Sequence, residues 1–234
     1  MLETNIKFIL DRNLLQDNSR DGIRLNWHSF AAVSGCNLLR NGDDGMDVHV
    51  STVNASDCTA QGNGDDGFTA FRGGSLTLFG STTIAQNGDD GINMTHNAEG
   101  TLAGTVIVTE NGVNGLALSM NSTMLVSGAT WMLTRNGQAS AGGDGMQISD
   151  GATLVAIRSS SIEASDNASN GIGAARNATL SVFGGSLLAA RNGNNGLLLR
   201  SFAVLNLNNA SLTSMDNATA DIDVAPDSIC VGCP

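Results

Sequence analysis

The chain has little of what several functional classes require. It has no tyrosine, only 4% aromatic residues, two prolines, and Lys7 as its single lysine. Acidic residues number 22 against 11 basic ones, which gives a net charge of −11. Because nucleic-acid surfaces need clustered positive charge, we expect no nucleic-acid partner. No stretch approaches the ~20 apolar residues of a membrane helix, so we expect no membrane span.

The most informative feature of the sequence is an internal repeat. The run Asn-Gly-Asp-Asp-Gly followed by an apolar residue begins at Asn41, Asn63 and Asn87, and degenerate copies extend it across the chain. We call the glycine before the apolar residue the marker. The markers are Gly22, Gly45, Gly67, Gly91, Gly115, Gly145, Gly171 and Gly196, with Asp221 in the ninth place. Steps of 22 to 30 residues between them are typical of a solenoid.

Each marker is followed by two apolar residues that lie two positions apart, as in Met46 and Val48. This alternation predicts a short strand with one buried face. Two more short strands follow in most repeats, and no segment has a helical pattern. Because parallel connections are right-handed, we predict an all-β fold, a right-handed single-stranded parallel β-helix of about nine coils. The predicted solenoid covers 1–224, and 225–234 is a C-terminal tail.

One asparagine precedes each marker at a recurring position. An asparagine in a tight bend tolerates the left-handed conformation, and its amide can bond the same group one coil away. We therefore predict an asparagine ladder rather than unrelated turn residues. Its members are Asn18, Asn41, Asn63, Asn87, Asn111, Asn136, Asn167, Asn192 and Asn217.

Coils of the form Asn-Gly-x-x-Gly-Ile-x-Leu, separated by polar turns, resemble the pectin-lyase-like superfamily of β-helix proteins. That superfamily includes polysaccharide lyases, glycoside hydrolases, sugar epimerases and phage tailspikes. The resemblance covers nearly the whole chain. It implies a polysaccharide or glycan partner, a secreted or cell- or virion-surface location, and a homotrimer if the protein is tailspike-like.

The start of the chain already has the pattern of a strand, without an amphipathic cap before the first coil. Solenoids need capped ends to stay soluble. We therefore expect a fragment of a longer secreted or surface protein. The alternative is an intact small protein that is capped by its own termini.

The four cysteines form two pairs. Cys36 and Cys58 each stand five residues before a ladder asparagine, at a position that is apolar in other coils. We predict that they are buried neighbours, present either as free thiols or as a disulfide. Cys230 and Cys233 form a CxxC without the βαβ setting of a redox motif or further zinc ligands, which favours a local terminal bridge.

Three acidic pairs fall on successive coils: Asp43/Asp44, Asp65/Asp66 and Asp89/Asp90. Like charges at rung spacing repel one another, so outward splay into water, raised pKa values or a cation must offset the repulsion. Calcium, which takes several carboxylate and carbonyl oxygens, is the candidate cofactor. The alternatives are solvated turn aspartates and substrate binding.

Histidine, arginine, aspartate, asparagine and aromatic side chains are concentrated on the outward face of the first four coils. Carboxylates and arginines suit the polar groups of a saccharide, and an aromatic ring can stack on a sugar. We predict a substrate-binding face there, against the alternative of an ordinary wet solenoid face. Its members are Arg24, Trp27, Asp47, His49, Phe71, Arg72, Asn93 and His96.

The candidate catalytic residues are Asp47, His49, Arg24 and Arg72. Glycoside hydrolysis needs two carboxylates, which Asp47 and one turn aspartate could supply. The resemblance implies an arginine or lysine base for a lyase, but the chain has neither Gly-His-Gly nor a clear Arg-x-Lys pair. Three hypotheses follow: a carbohydrate-binding module, a polysaccharide-active enzyme on the same face, or a structural stalk or adhesin segment.

Overall fold

The computed structural model describes residues 7–139 and 142–234. Within these ranges there are 26 strands and no helix, and every strand pair is parallel. No helix in this part of the chain is long and apolar enough to cross a membrane. The predicted all-β parallel solenoid is therefore confirmed.

Nine strands follow the markers and stack in coil order as one sheet, which we call the marker column. Its register aligns Ile23, Met46, Phe68, Ile92 and Leu116 in one inward row, in which no side chain is more than 5% exposed. The strands are Ile23–Asn26, Met46–His49, Phe68–Phe71, Ile92–Thr95, Leu116–Leu118, Met146–Ile148, Ile172–Ala174, Asn195–Leu199 and Ala220–Val224.

The second and third strands of the coils form two further columns. The middle column contains Lys7–Asp11, Phe30–Ser34, Thr52–Ser56, Ser75–Phe79, Glu99–Leu102, Thr123–Ser127, Thr153–Ile157 and Ile229–Val231. The ladder column contains Leu14–Gln16, Asn37–Leu39, Thr59–Gln61, Ser81–Ala85, Thr105–Thr109, Thr130–Thr134 and Ser161–Ser165. Two long strands, Thr179–Ala190 and Val204–Met215, pass through both columns and join them into one sheet.

Strand pairing continues past residue 224, into the segment that the sequence predicts to be a tail. Ile229–Val231 pairs in parallel with Val204, Leu205 and Asn206. A disulfide joins Cys230 and Cys233, whose Cα atoms are 5.8 Å apart.

The core is narrow and almost wholly aliphatic, apart from Phe68 and the fully buried Trp131. Cys36 and Cys58 are buried free thiols. They lie on adjacent coils, as shown by the hydrogen bond from the backbone N–H of Thr59 to the carbonyl of Cys36 at 2.9 Å. Their predicted placement is confirmed. Burial raises the pKa of the Cys58 thiol.

The asparagine ladder is continuous through all nine positions. Each Nδ2 donates to Oδ1 of the asparagine one coil on, at 2.8 to 3.1 Å. The same Oδ1 also accepts the backbone N–H of the previous ladder asparagine, at 3.0 to 3.3 Å. Each buried amide oxygen is thereby satisfied twice, which links every coil to the next.

The conformational part of the ladder prediction is wrong. None of the nine asparagines has a positive φ; the residue before each one does, as at Arg40 (51°), Gln86 (57°) and Arg135 (55°). The bend therefore lies one position earlier. The asparagine is selected for its buried amide, not for tolerance of the left-handed region.

The marker glycines are required by the close approach of successive coils. A β-carbon at Gly45 would lie 2.5 Å from the carbonyl oxygen of Gly67 and 2.9 Å from Nδ2 of Asn63. Any side chain at this position would force the ladder apart. Asp221 stands at the marker position of the last coil, where its Oδ1 accepts a hydrogen bond from Nδ2 of Asn217 at 2.9 Å.

Candidate functional site

Four rings line up across the first four coils on the outer side of the marker column. Successive ring centroids are 5.8 Å apart from Trp27 to His49, 5.2 Å from His49 to Phe71, and 4.7 Å from Phe71 to His96. We call these rings the aromatic row. Each of the first four coils contributes one ring to it.

The rings of the aromatic row come from two backbone positions. His49 and Phe71 end their strands, whereas Trp27 and His96 are the first residues after theirs, with φ of 57° and 56°. The left-handed corner turns these two side chains back along the face. Trp27 remains 69% exposed and forms the open end of the row.

Charged groups flank the row. The Nε of Arg24 lies 3.3 Å from Oδ2 of Asp47, and its Nη1 lies 3.4 Å from Oδ2 of Asp21. The guanidinium of Arg72 lies over the Phe71 ring, 4.8 Å from its centroid. Burial raises the pKa of Asp47, the positive charge of Arg24 opposes this, and the negative charge of Asp21 adds to it.

The ring of His49 is held inside the aromatic row. Its ring lies between Trp27 and Phe71, and its Nδ1 is 3.3 Å from Oδ1 of Asn26. Its Nε2 is buried and has no hydrogen-bond partner among the described residues. A general base must reach the proton that it abstracts, so proton transfer by His49 would require a ligand to reach this nitrogen.

Asn93 belongs to a different group of residues from the rest of the predicted face. Its Nδ2 donates to Oδ2 of Asp66 at 2.9 Å, and the hydroxyl of Thr69 donates to the same oxygen at 2.9 Å. The structure therefore brings seven of the eight predicted residues to the aromatic row and its flanks. Asn93 joins the acidic turns instead.

The inner aspartates of the acidic turns form a second ladder, which we call the turn ladder. Backbone N–H groups donate to Oδ1 of the residue one coil earlier, from Asp66 to Asp44 at 3.0 Å and from Asp90 to Asp66 at 2.8 Å. This pattern continues through the later coils to Asn195. The members are Asp21, Asp44, Asp66, Asp90, Asn114, Asp144, Asn170 and Asn195.

The interpretation of all six turn aspartates as solvated side chains is therefore wrong. Asp44, Asp66 and Asp90 are only 8%, 3% and 6% exposed, and their outer neighbours are more accessible. Burial is the main cause that raises the pKa of Asp44 to about 8, of Asp66 to about 6 and of Asp90 to about 7. The negative charge of Asp66 raises the pKa of Asp44 and Asp90 further.

The turn ladder changes composition after Asp90. From there Asn and Asp alternate as far as Asn170, and Asn195 follows. The Nδ2 groups of Asn114 and Asn170 each donate to a neighbouring aspartate at 2.9 Å. Asp44, Asp66 and Asp90 follow one another in the turn ladder without an asparagine between them. The raised pKa values of these three aspartates favour their neutral forms, which reduces the repulsion between carboxylates of successive coils.

Two groups of carboxylates are compact enough to hold a cation. Oxygens of Asp43, Asp44 and Asp65 lie within 4.8 Å of one another, as do those of Asp65, Asp66 and Asp89. Calcium takes ~6–8 oxygens, so either group would hold it only with several waters. The group of Asp43, Asp44 and Asp65 suits calcium better. In the other group, both carboxylate oxygens of Asp66 already accept hydrogen bonds.

Reasoning from the sequence missed the turn ladder, although its signal is present. The residue before the marker glycine is Asp or Asn in eight successive repeats. The composition of a turn does not show which of its side chains points inward. The strand alternation, which does show direction, stops before the turn begins.

The comparisons with known proteins identify the fold and nothing narrower. No family model matches the sequence, and no curated protein matches it. The crystal structure of pectate lyase Pel9A is similar, with a TM-score of 0.57 and 17% identity, and the match covers 85% of this chain. The chain spans 57% of that protein's length. The likeness shows the right-handed parallel β-helix fold that the sequence predicts.

Proposed function

We propose that the chain is a carbohydrate-binding β-helix module that binds a saccharide chain along the aromatic row. The observation that carries this proposal is the continuous line of four rings, flanked by Arg24, Asp47 and Arg72. Ring faces bury the apolar faces of sugars, and the charged groups exchange hydrogen bonds with hydroxyls. A polysaccharide outside the cell, or on its surface, is the ligand that this arrangement fits.

The β-helix fold shared with a pectate lyase supports a polysaccharide ligand, and the nine strands of the marker column stack into one sheet along the solenoid. An extended polymer can lie along such a face and contact several coils at once. A small globular ligand would contact one or two rings. The row therefore favours a chain of sugars over a single one.

Cleavage of the bound saccharide is the second candidate function. Asp47 favours this function. It lies beside the aromatic row, and burial raises its pKa. A raised pKa is what a carboxyl group needs in order to act as a general acid. Asp21 and Asp43 lie close enough to Asp47 to raise its pKa further, and either could be the second carboxylate. Arg24 contacts both Asp21 and Asp47, so it is held as their counter-ion.

The test is a binding screen of the full chain against neutral and acidic polysaccharides, with Trp27→Ala as the variant. We expect Trp27→Ala to weaken binding about tenfold, as for an anchoring aromatic residue. The matched control is Phe202→Ala, which removes a 64% exposed ring from a left-handed corner far along the chain. Equal binding by wild type and Trp27→Ala would contradict the proposal.

Product assays on the same samples separate binding from cleavage. Hydrolysis releases reducing ends, and a lyase releases unsaturated products that absorb in the ultraviolet. If reducing ends form, Asp47→Asn should abolish them, because an amide cannot act as the general acid. Binding without either product supports the module without catalysis.

A further inference from the structure

The later coils contain a cavity that the sequence does not predict. It has a volume of about 220 Å³ and opens on the marker-column face, among the strands that begin at Met146, Ile172 and Asn195. Gly173 forms its floor. Asp144 and Asn170 lie on one side, and Arg176 and Arg200 lie on the other.

The cavity exists because one outward position lacks a side chain. Gly173 pairs between Gln147 and Leu198 in the register of the marker column. A β-carbon at Gly173 would lie 2.6 Å from Oδ2 of Asp144. That carboxylate oxygen therefore lies directly over the space that the missing side chain leaves.

An earlier coil shows how this position is filled elsewhere. Asp66 holds the same turn-ladder position as Asp144, and its Oδ2 accepts hydrogen bonds from Thr69 and Asn93. The corresponding residues for Asp144 are Gln147 and Gly173. Glycine offers no donor, so the partner that Asn93 supplies to Asp66 is missing.

The carboxylate of Asp144 is held firmly but is only partly satisfied. Its side chain belongs to a residue that is 5% exposed, and Oδ1 accepts two hydrogen bonds from Asn170, both at 2.9 Å. Among the described residues, neither Gln147 nor Gly173 donates a hydrogen bond to Oδ2, and the Ser169 hydroxyl is the remaining protein donor near this carboxylate. Burial raises the pKa of Asp144, and Asn170 and the Ser169 hydroxyl oppose that rise.

The charges around the cavity favour a neutral ligand. Arg176 is paired with Asp150, and Arg200 is paired with Asp223 at 3.0 Å. Both guanidinium groups are thus neutralised, and Asp144 remains as a charge without a basic partner among the described residues. An anionic ligand would meet that carboxylate at close range.

We propose that this cavity binds one neutral sugar ring or a similar polyol. One hydroxyl of the ligand donates to Oδ2 of Asp144, others contact Gln147 and Arg176, and Leu198 packs against the carbon skeleton. The volume is below the ~300–1,000 Å³ of sites for drug-sized ligands, which suits a single ring. The proposal does not rest on the aromatic row, because no residue is shared.

The experiment is calorimetric titration of the full chain with D-galactose, D-glucose, D-mannose and glycerol, and with D-galacturonate as the anionic probe. We expect saturable binding of at least one neutral probe, and weaker binding of galacturonate. Asp144→Asn should weaken that binding at least about tenfold, because it replaces a charged acceptor by a donor. Asparagine already occupies this turn-ladder position in three coils, so the variant should fold.

Two controls keep this result separate from the proposed function. Asp90→Asn makes the same change in the turn ladder away from the cavity, and it should leave the affinity unchanged. Trp27→Ala should weaken polysaccharide binding and leave the small probes unaffected. The proposal is overturned if no neutral probe saturates up to tens of millimolar, or if Asp144→Asn and Asp90→Asn bind alike.

Discussion

Asp44 makes the stability of the protein depend on pH in an unusual direction. Burial raises its pKa to about 8 in the folded chain, whereas an unfolded aspartate titrates near ~3.9. Between these values the folded state binds a proton that the unfolded state has released. The stability contribution is therefore complete below ~pH 4 and is lost as the pH rises through about 8.

Replacing Asp44 with asparagine should remove this loss. The asparagine side chain retains an oxygen that can accept the Asp66 N–H and carries no charge, so Asp44→Asn should raise the free energy of unfolding by at least about 1 kcal/mol near pH 8. Near pH 4 the gain should vanish. Denaturant unfolding at both pH values measures the difference. The more exposed Asp43→Asn is the control, and an equal gain at both pH values would contradict the assignment.

Residue type and position could be predicted from the sequence where the backbone alternates. The inward row from Ile23 to Leu116 and the burial of Cys36 and Cys58 follow from period two and from spacing. The burial of Asp44 does not, because turn residues have no fixed period. Nor does the direction of Trp27, which depends on a positive φ that tryptophan rarely adopts.

At the scale of a coil, Asp221 ends the asparagine ladder. Its Oδ1 accepts the side-chain Nδ2 of Asn217 at 2.9 Å and the backbone N–H of Asn217 at 3.3 Å. In earlier coils these donors bond the next asparagine, and the marker is glycine. The carboxylate of Asp221 is thus the acceptor for Asn217 that the next ladder asparagine provides in earlier coils.

Asp221→Ala should therefore loosen the last coil. We expect a loss of about 1 kcal/mol and faster hydrogen exchange at the Asn217 amide, because its acceptor is gone. The control is Asp223→Ala, which removes the same charge and an exposed ion pair with Arg200. Unchanged exchange at Asn217, or an equal effect of both variants, would show that Asp221 is not a cap.

The acidic turns give a second prediction at this scale. If calcium binds them, it binds only the native coil and should raise the melting temperature by more than sodium chloride of equal ionic strength. Asp65 belongs to both carboxylate groups, so Asp65→Asn should abolish the effect. Asp227→Asn, with the same charge change at the far end, should not. An unchanged melting temperature across millimolar calcium would leave the turns as a ladder without a cation.

The merging of two strand columns in the later coils is beyond what the sequence predicts. The sequence predicts two separate short strands after each marker strand in most repeats, yet Thr179–Ala190 is one continuous strand. Gly184 and Gly185, with φ of 70° and 96°, turn the corner between the columns while pairing continues on both sides. Two glycines predict a bend, but they do not show whether hydrogen bonding stops there.

For the molecule as a whole, the fold was predictable and the candidate sites were only partly so. Each coil contacts its neighbours alone, so a local period determines the global architecture. The aromatic row depends on side chains between Trp27 and His96 that leave the backbone at two different positions. The later cavity depends on the coincidence of Gly173 with Oδ2 of Asp144. Neither coincidence is visible in a repeat pattern.

Both ends of the solenoid present apolar side chains that are only partly covered. Phe8, Leu10 and Leu15 are half-buried at one end, and Ile222 and Val224 are half-buried at the other. In the middle coils the equivalent positions are fully buried. Because a solenoid is stabilised by contacts between neighbouring coils, we expect these partly covered coils to be less stable than the middle ones.

Hydrogen exchange of the whole chain should therefore show graded protection. We expect the slowest exchange in the coils between Phe68 and Ile172, with protection falling toward both ends, because local opening requires the loss of fewer contacts there. Peptide-resolved exchange measures this profile directly. Protection that is uniform to the ends would contradict an isolated solenoid. It would favour association of copies, such as the homotrimer expected for a tailspike-like chain, and sedimentation of the same sample would then show a mass above that of one chain.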